Sequence, residues 1–271
     1  RWIAIFCTSL VMTTGVQASK RVALVIGNSD YEHVSALPNP INDATDIAAS
    51  FTRLGFDVTL VENLGFGETR RALGEFSDKA FGADMAVIFY AGHGMEVNKR
   101  NYLIPTDAEL ATDRAISYEA LPMDFLTEAL LGVKGLKLIM LDACRNNPFA
   151  AEMKMTSSTR SIGRGLAKVE PADGTLISFA AKEGTVAIDG EGRNSPYTKA
   201  LLDHLEQAGL EIQFLFRKVR DQVMADTGNQ QQPFTYGSLP GTAIYLFQKP
   251  VTANITINQN PPENDTVAKL E

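Results

Sequence analysis

Two uninterrupted apolar runs, Val22–Ile26 and Met85–Tyr90, and a third, Leu136–Leu141, broken only by Lys137, constrain the fold of this chain more than any other feature. A half-exposed strand alternates apolar with polar residues. A strand that is apolar at every position is buried on both faces, as in a parallel sheet covered by helices. Between the first two runs, Ile41, Ala44, Ile47, Ala48, Phe51 and Leu54 fall near helical spacing, with Gly55 as a C-terminal stop. Phe56–Val61 reads as a further strand and Glu68–Phe81 as a second helix, so the chain opens β-α-β-α-β.

Downstream, Tyr102–Ile104 suggests a small hairpin, Met123–Leu131 a short helix and Leu136–Leu141 a fourth central strand. Thr175–Ala180 gives a fifth strand, helices follow around Tyr197–Glu206 and Ile212–Met224, and Ala243–Phe247 is expected to close the sheet as a sixth. Phe214, Phe216 and Val219 on the last helix are expected in the core. This alternation predicts an α/β fold: a mostly parallel central sheet of about six strands, helices on both faces, functional residues at the carboxyl ends of the strands.

With 271 residues and 45% hydrophobic content, the chain can bury one large core, assigned here to residues 20–248. The apolar stretch Arg1–Met12 sits behind a positive charge, and Val16-Gln17-Ala18 offers small residues for cleavage. Residues 1–19 therefore read as an export signal, too short for a spanning helix, with a periplasmic or extracellular destination and no stable membrane span in the mature chain. Residues 249–271 read as a linker or tail, and 146–173 as a long polar loop. A formal net charge of -7 and a pI near 5.1 argue against a nucleic-acid partner. The oligomeric state is not legible.

Two strand ends carry chemistry. Tyr90-Ala91-Gly92-His93-Gly94 follows the third strand and Leu141-Asp142-Ala143-Cys144-Arg145 the fourth, with Cys144 51 positions after His93 (144 − 93). A thiol and an imidazole brought to neighbouring strand ends supply a nucleophile and a proton shuttle. Once residues 1–19 are removed, Cys7 goes with them and Cys144 is the single thiol. A lone thiol in an oxidising compartment is explained by reactivity or by inert burial. Gly94 suits an oxyanion donor, because a residue without Cβ lets its N–H approach a substrate carbonyl, and the N–H of Cys144 would be the second. His33 and His204 read as surface residues, no metal site is expected, and Gly27-Asn28 does not continue as a phosphate-binding glycine pattern.

From Lys20 to Phe247 the chain resembles the caspase-like cysteine peptidases (peptidase C14 type), and among them the bacterial metacaspase and orthocaspase branch. The resemblance rests on Val22–Asn28, Asn42-Asp43-Ala44, Phe89–Gly94 and Leu141–Arg145. A histidine about 50 residues before the cysteine is a known caspase feature, so that spacing is a match and not an independent result. The resemblance implies a caspase-like three-layer sandwich and a thiol endopeptidase acting through His93 and Cys144 without a required cofactor. It also extends to calcium activation, found in some members, although this chain has no EF-hand loop and its scattered acids do not establish a site. Caspases carry Gln where this chain has Asp142, and Gly where it has Asn146. In metacaspases the corresponding aspartate, with one matching Asp43, lines the primary specificity pocket. The implied substrates are peptides or proteins with Arg or Lys before the scissile bond, with aspartate rejected by like charge. Ala91 stands where the family often has Ser, which removes one hydroxyl from that pocket. Arg160, Arg164 and Lys168 would be self-cleavage sites in the 146–173 segment, which corresponds to the family's inter-subunit loop.

Bland readings compete at each position. Asp43 also suits an exposed carboxylate in a helix's first turn, Asp142 a satisfied strand-end carboxylate, and the basic loop residues ordinary solvated charges. The rival for the whole chain is a catalytically silent caspase-like module that binds a peptide or protein. A thiol esterase ranks below both, because Asp142-Ala143-Cys144-Arg145-Asn146 lacks the glycines of a nucleophile elbow.

Overall fold

The computed structural model describes residues 19–144, 149, 153–156, 162–163, 166–167, 170–182, 187–188, 190 and 192–248, with the backbone alone at 144 and 162–163. The opening alternation is β1 (Arg21–Gly27), α1 (Pro40–Arg53), β2 (Asp57–Glu62), α2 (Phe66–Ala80) and β3 (Met85–Val97). An excursion through β4 (Arg100–Leu103), α3 (Ile116–Glu119), β5 (Leu121–Pro122) and α4 (Asp124–Glu128) leads to β6 (Leu136–Cys144). The chain continues with β7 (Ile162–Gly163), β8 (Thr175–Phe179), α5 (Pro196–Leu205), α6 (Ile212–Asp226) and β9 (Phe234–Ser238).

The main sheet has the order β2-β1-β3-β6-β8-β9. Its pairs are parallel except β8 with β9, which is antiparallel. The continuous apolar runs are explained by two cores. Along β3, Val87, Phe89 and Ala91 join the layer that also holds residues of α1, α5 and α6. Ala86, Ile88 and Tyr90 join the opposite layer with residues of α2 and α4. A strand so placed has no polar face to offer, because successive side chains enter different cores.

Four expectations need correction. The sixth strand is β9 and not Ala243–Phe247. Residues of that later segment instead pair with the connection between α5 and α6: Ile212 N–H donates to Ile244 O, Gly209 N–H to Phe247 O, Glu211 bridges Tyr245, and Leu246 is buried among α5 and α6 residues. Pro233 and Gly237 hid β9 from propensity reasoning, yet both suit an edge strand. Phe214 is exposed, with the Arg217 guanidinium over its ring, whereas Phe216 and Val219 are buried as expected. The short helix expected over Met123–Leu131 covers only α4. Within the expected loop 146–173, the short strand β7 pairs antiparallel with β3.

Candidate active site

Backbone register brings the two motif residues together. β3 and β6 run parallel with Ala91 opposite Asp142, Gly92 opposite Ala143 and His93 opposite Cys144. Neighbouring strands lie about 4.8 Å apart, so a long sequence separation collapses to one strand spacing. His93 is not past the end of its strand, as the sequence suggested. β3 runs on beyond it and takes β4 as an antiparallel partner from Gly94 opposite Leu103 onward. The correction has a physical reason: Gly92 and Gly94 do not break the strand, because close neighbours on either side use the missing Cβ atoms. A Cβ at Gly92 would meet the Tyr31 and Tyr90 hydroxyls at 2.7 and 2.8 Å, and one at Gly94 would press on Ala143 Cβ at 3.2 Å.

The peptide of His93 is gripped by two phenols. Its backbone N–H donates to Tyr31 Oη at 2.7 Å, and its carbonyl accepts from Tyr90 Oη at 2.8 Å and from the Ile104 N–H at 3.0 Å. The Tyr31 and His93 rings lie 4.5 Å apart, and Phe149 meets the imidazole edge-on at 6.4 Å. The His93 side chain is buried, and neither ring nitrogen has a hydrogen-bond partner among the described residues. Burial disfavours the charged ring and lowers its pKa from 6.5 to about 4. At neutral pH the imidazole is therefore a neutral base.

On the layer shared with α1 and α5 lie the two carboxylates. Asp43, in the first turn of α1, is 2% exposed, and Asp142 on β6 is 7% exposed. The exposed-carboxylate reading of Asp43 is thereby overturned. Asp43 Oδ1 accepts the Ser195 backbone N–H at 3.1 Å. Asp142 Oδ2 accepts both the Ser195 hydroxyl and, at 2.7 Å, the Thr198 hydroxyl. One turn further along α1, Asp46 accepts two bonds of 2.9 Å from Arg193 and one of 3.0 Å from Asn194. The Arg193 guanidinium beside Asp46 holds that carboxyl below its ordinary range. Helix α1 can approach β1 this closely because Gly27 has no side chain: a Cβ there would lie 2.7 Å from both Ala44 Cβ and Pro40 O.

Of the expected site residues, His93 and Cys144 share a register position, Asp43 and Asp142 share Ser195, and Ala91 is buried in the core opposite Asp142. Arg160, Arg164 and Lys168 lie outside the described residues. Tyr31, Ser195 and Thr198 escaped sequence reasoning. Ser195-Pro196 does carry the signature of a helix start, an N-cap Ser before Pro, and Ser195 Oγ accepts the Thr198 N–H at 3.0 Å. Nothing local points from there to Asp142. Surface depressions of about 390 and 470 Å3 lie elsewhere, against α4 and β9. Neither is lined by His93, Asp43 or Asp142.

The mostly parallel sheet between two helical layers, with His93 and Cys144 in register on adjacent central strands, defines an α/β sandwich. The profile of the caspase domain of peptidase C14 matches residues 20–244, and the chain belongs to that family of cysteine peptidases. It is 28% identical over 139 residues to human mucosa-associated lymphoid tissue lymphoma translocation protein 1, covering 47% of this chain and 15% of that protein. The mouse homologue is 27% identical over the same length. The chain thus spans only a small part of these curated relatives. The crystal structure of caspase-1 from Spodoptera frugiperda superposes with a TM-score of 0.60 at 17% identity, covering 86% of this chain and 92% of that one, and so shares the fold.

Proposed function

We propose that this protein is a cysteine endopeptidase that cleaves after Arg or Lys, with Cys144 as nucleophile and His93 as acid and base. The observation that carries the reading is the in-register placement of His93 and Cys144 on adjacent parallel strands. The neutral imidazole takes the thiol proton as sulfur bonds to the scissile carbonyl carbon. The backbone N–H groups of Gly94 and Cys144 receive the oxyanion. The carbon–nitrogen bond then breaks, His93 returns the proton to the departing amine, and water hydrolyses the thioester. Asp43 and Asp142 accept the substrate's cationic side chain, and their burial strengthens that recognition because a low dielectric enlarges charge–charge attraction. Cleavage at Arg160, Arg164 or Lys168 by the enzyme itself is part of the same reading, as is export by residues 1–19.

The test is hydrolysis of fluorogenic peptides ending in Arg, Lys or Asp by wild type and Cys144→Ala. The proposal expects turnover of the Arg and Lys peptides by wild type alone. Turnover that survives Cys144→Ala, or peptide binding without any turnover, removes it.

A further inference from the structure

Ser195 touches both acids of the proposed pocket from outside the strand and helix that carry them. Its backbone N–H donates to Asp43 Oδ1 at 3.1 Å and its hydroxyl donates to Asp142 Oδ2. Thr198, in the first turn of α5, adds a second hydroxyl to the same Asp142 oxygen at 2.7 Å. Ser195 and Thr198 are both buried, so water competes little for these bonds. A carboxylate that accepts two hydroxyls on one oxygen has a fixed direction, and an uncharged chain of donors between two acids keeps them apart without neutralising either.

The lever that holds Ser195 is also on the surface of α1. Arg193 and Asn194, the two residues before it, are tied to Asp46, one turn along from Asp43. The segment therefore bridges α1, β6 and the start of α5. Tyr197 is buried in the core, its hydroxyl donating to Ser178 Oγ at 2.6 Å.

We infer that Ser195 and Thr198 are positioning residues for charge selection: they set the direction of Asp142 and the spacing of the Asp43–Asp142 pair, and thereby the preference for a cationic side chain. The inference rests on the pocket reading above and deepens it. It gives the helix after the 146–173 segment a part in selecting substrate, although the nucleophile and the base come from strands before it. The purely structural alternative is that Ser195 only caps α5. The two hydroxyls separate these alternatives, because Thr198→Val removes a donor to Asp142 while leaving the backbone N–H that the cap uses.

The experiment compares peptide substrates ending in Arg and in citrulline, a neutral isostere of Arg, on full-length wild type, Ser195→Ala, Ser195→Thr and Thr198→Val. The ratio of kcat/KM for Arg over citrulline is expected to fall roughly tenfold in Thr198→Val and in Ser195→Ala, a size set by hydrogen bonds to charged groups. The loss should be carried by KM for the Arg peptide, and Ser195→Thr should restore the ratio. An unchanged ratio in Thr198→Val, with Arg still strongly preferred by wild type, overturns the inference and leaves the pocket standing. A wild-type ratio near unity overturns both, because there is then no charge selection for these residues to set.

Discussion

Tyr31 Oη accepts the backbone N–H of His93 at 2.7 Å while the two rings lie 4.5 Å apart. One side chain from the loop after β1 thus fixes both the peptide and the ring of the proposed base. Tyr31→Phe keeps the ring contact and strands a buried donor, which costs about 1–3 kcal/mol. Peptidase activity should fall about tenfold through kcat if the same free energy is lost from positioning. Steady-state kinetics with the Arg peptide, alongside a urea unfolding midpoint, check this; an unchanged kcat in a destabilised variant would confine Tyr31 to folding.

The pKa of His93 sets a pH dependence of stability. Burial lowers it from 6.5 to about 4, so between those values the unfolded chain binds a proton that the folded chain does not. Stability is therefore full above pH 6.5 and falls as pH drops towards 4, by up to about 3 kcal/mol from this group alone. Asp46, Asp203 and Glu206, whose pKa values are lowered by their hydrogen-bonded partners, lose stability in the same direction on acidification. Urea titrations at pH 7 and pH 4.5 on wild type and His93→Phe should show a smaller acid loss in the variant. Equal losses would mean that His93 protonates without cost.

Gly27 is where α1 meets β1. A methyl group there would collide with Ala44 Cβ and Pro40 O, so Gly27→Ala must push the helix outward and carry Asp43 with it. Overpacking of this kind costs about 1–3 kcal/mol. The variant should unfold at lower urea, and its preference for Arg over citrulline should weaken. A stable variant with full preference would show that α1 yields locally and Asp43 stays in place.

The parts of the fold that were legible in the sequence are those governed by local pattern. The two-core strands β1, β3 and β6 announce themselves because their central residues, Val22–Ile26, Met85–Tyr90 and Leu138–Leu141, are continuously apolar, and α1 does so by its spacing and the Gly55 stop. Edge strand β9 did not, since an edge needs fewer apolar residues and tolerates Pro233 beside it. The closeness of His93 to Cys144 was readable as an expectation because each follows, within three residues, an apolar run that sequence can recognise. Tyr31, Ser195 and Thr198 were not, because each acts on a residue more than 50 positions away, and a hydroxyl in a loop or first helical turn has a sufficient local explanation. The continuation of β3 through His93 was hidden for a related reason: Gly92 and Gly94 signal a turn locally, whereas the space they leave is filled by Tyr31, Tyr90 and Ala143 from elsewhere.

Covalent labelling reads the nucleophile, the base and the pocket at once. A peptidyl-arginine chloromethyl ketone loses chloride to an attacking thiolate and leaves a stable thioether, located by mass spectrometry of the digested protein. A single adduct at Cys144 is expected, absent from Cys144→Ala, slowed in His93→Ala, and formed far faster than with the corresponding aspartyl ketone. An unmodified Cys144 under conditions that label other cysteine peptidases, or faster reaction with the aspartyl reagent, would contradict the account.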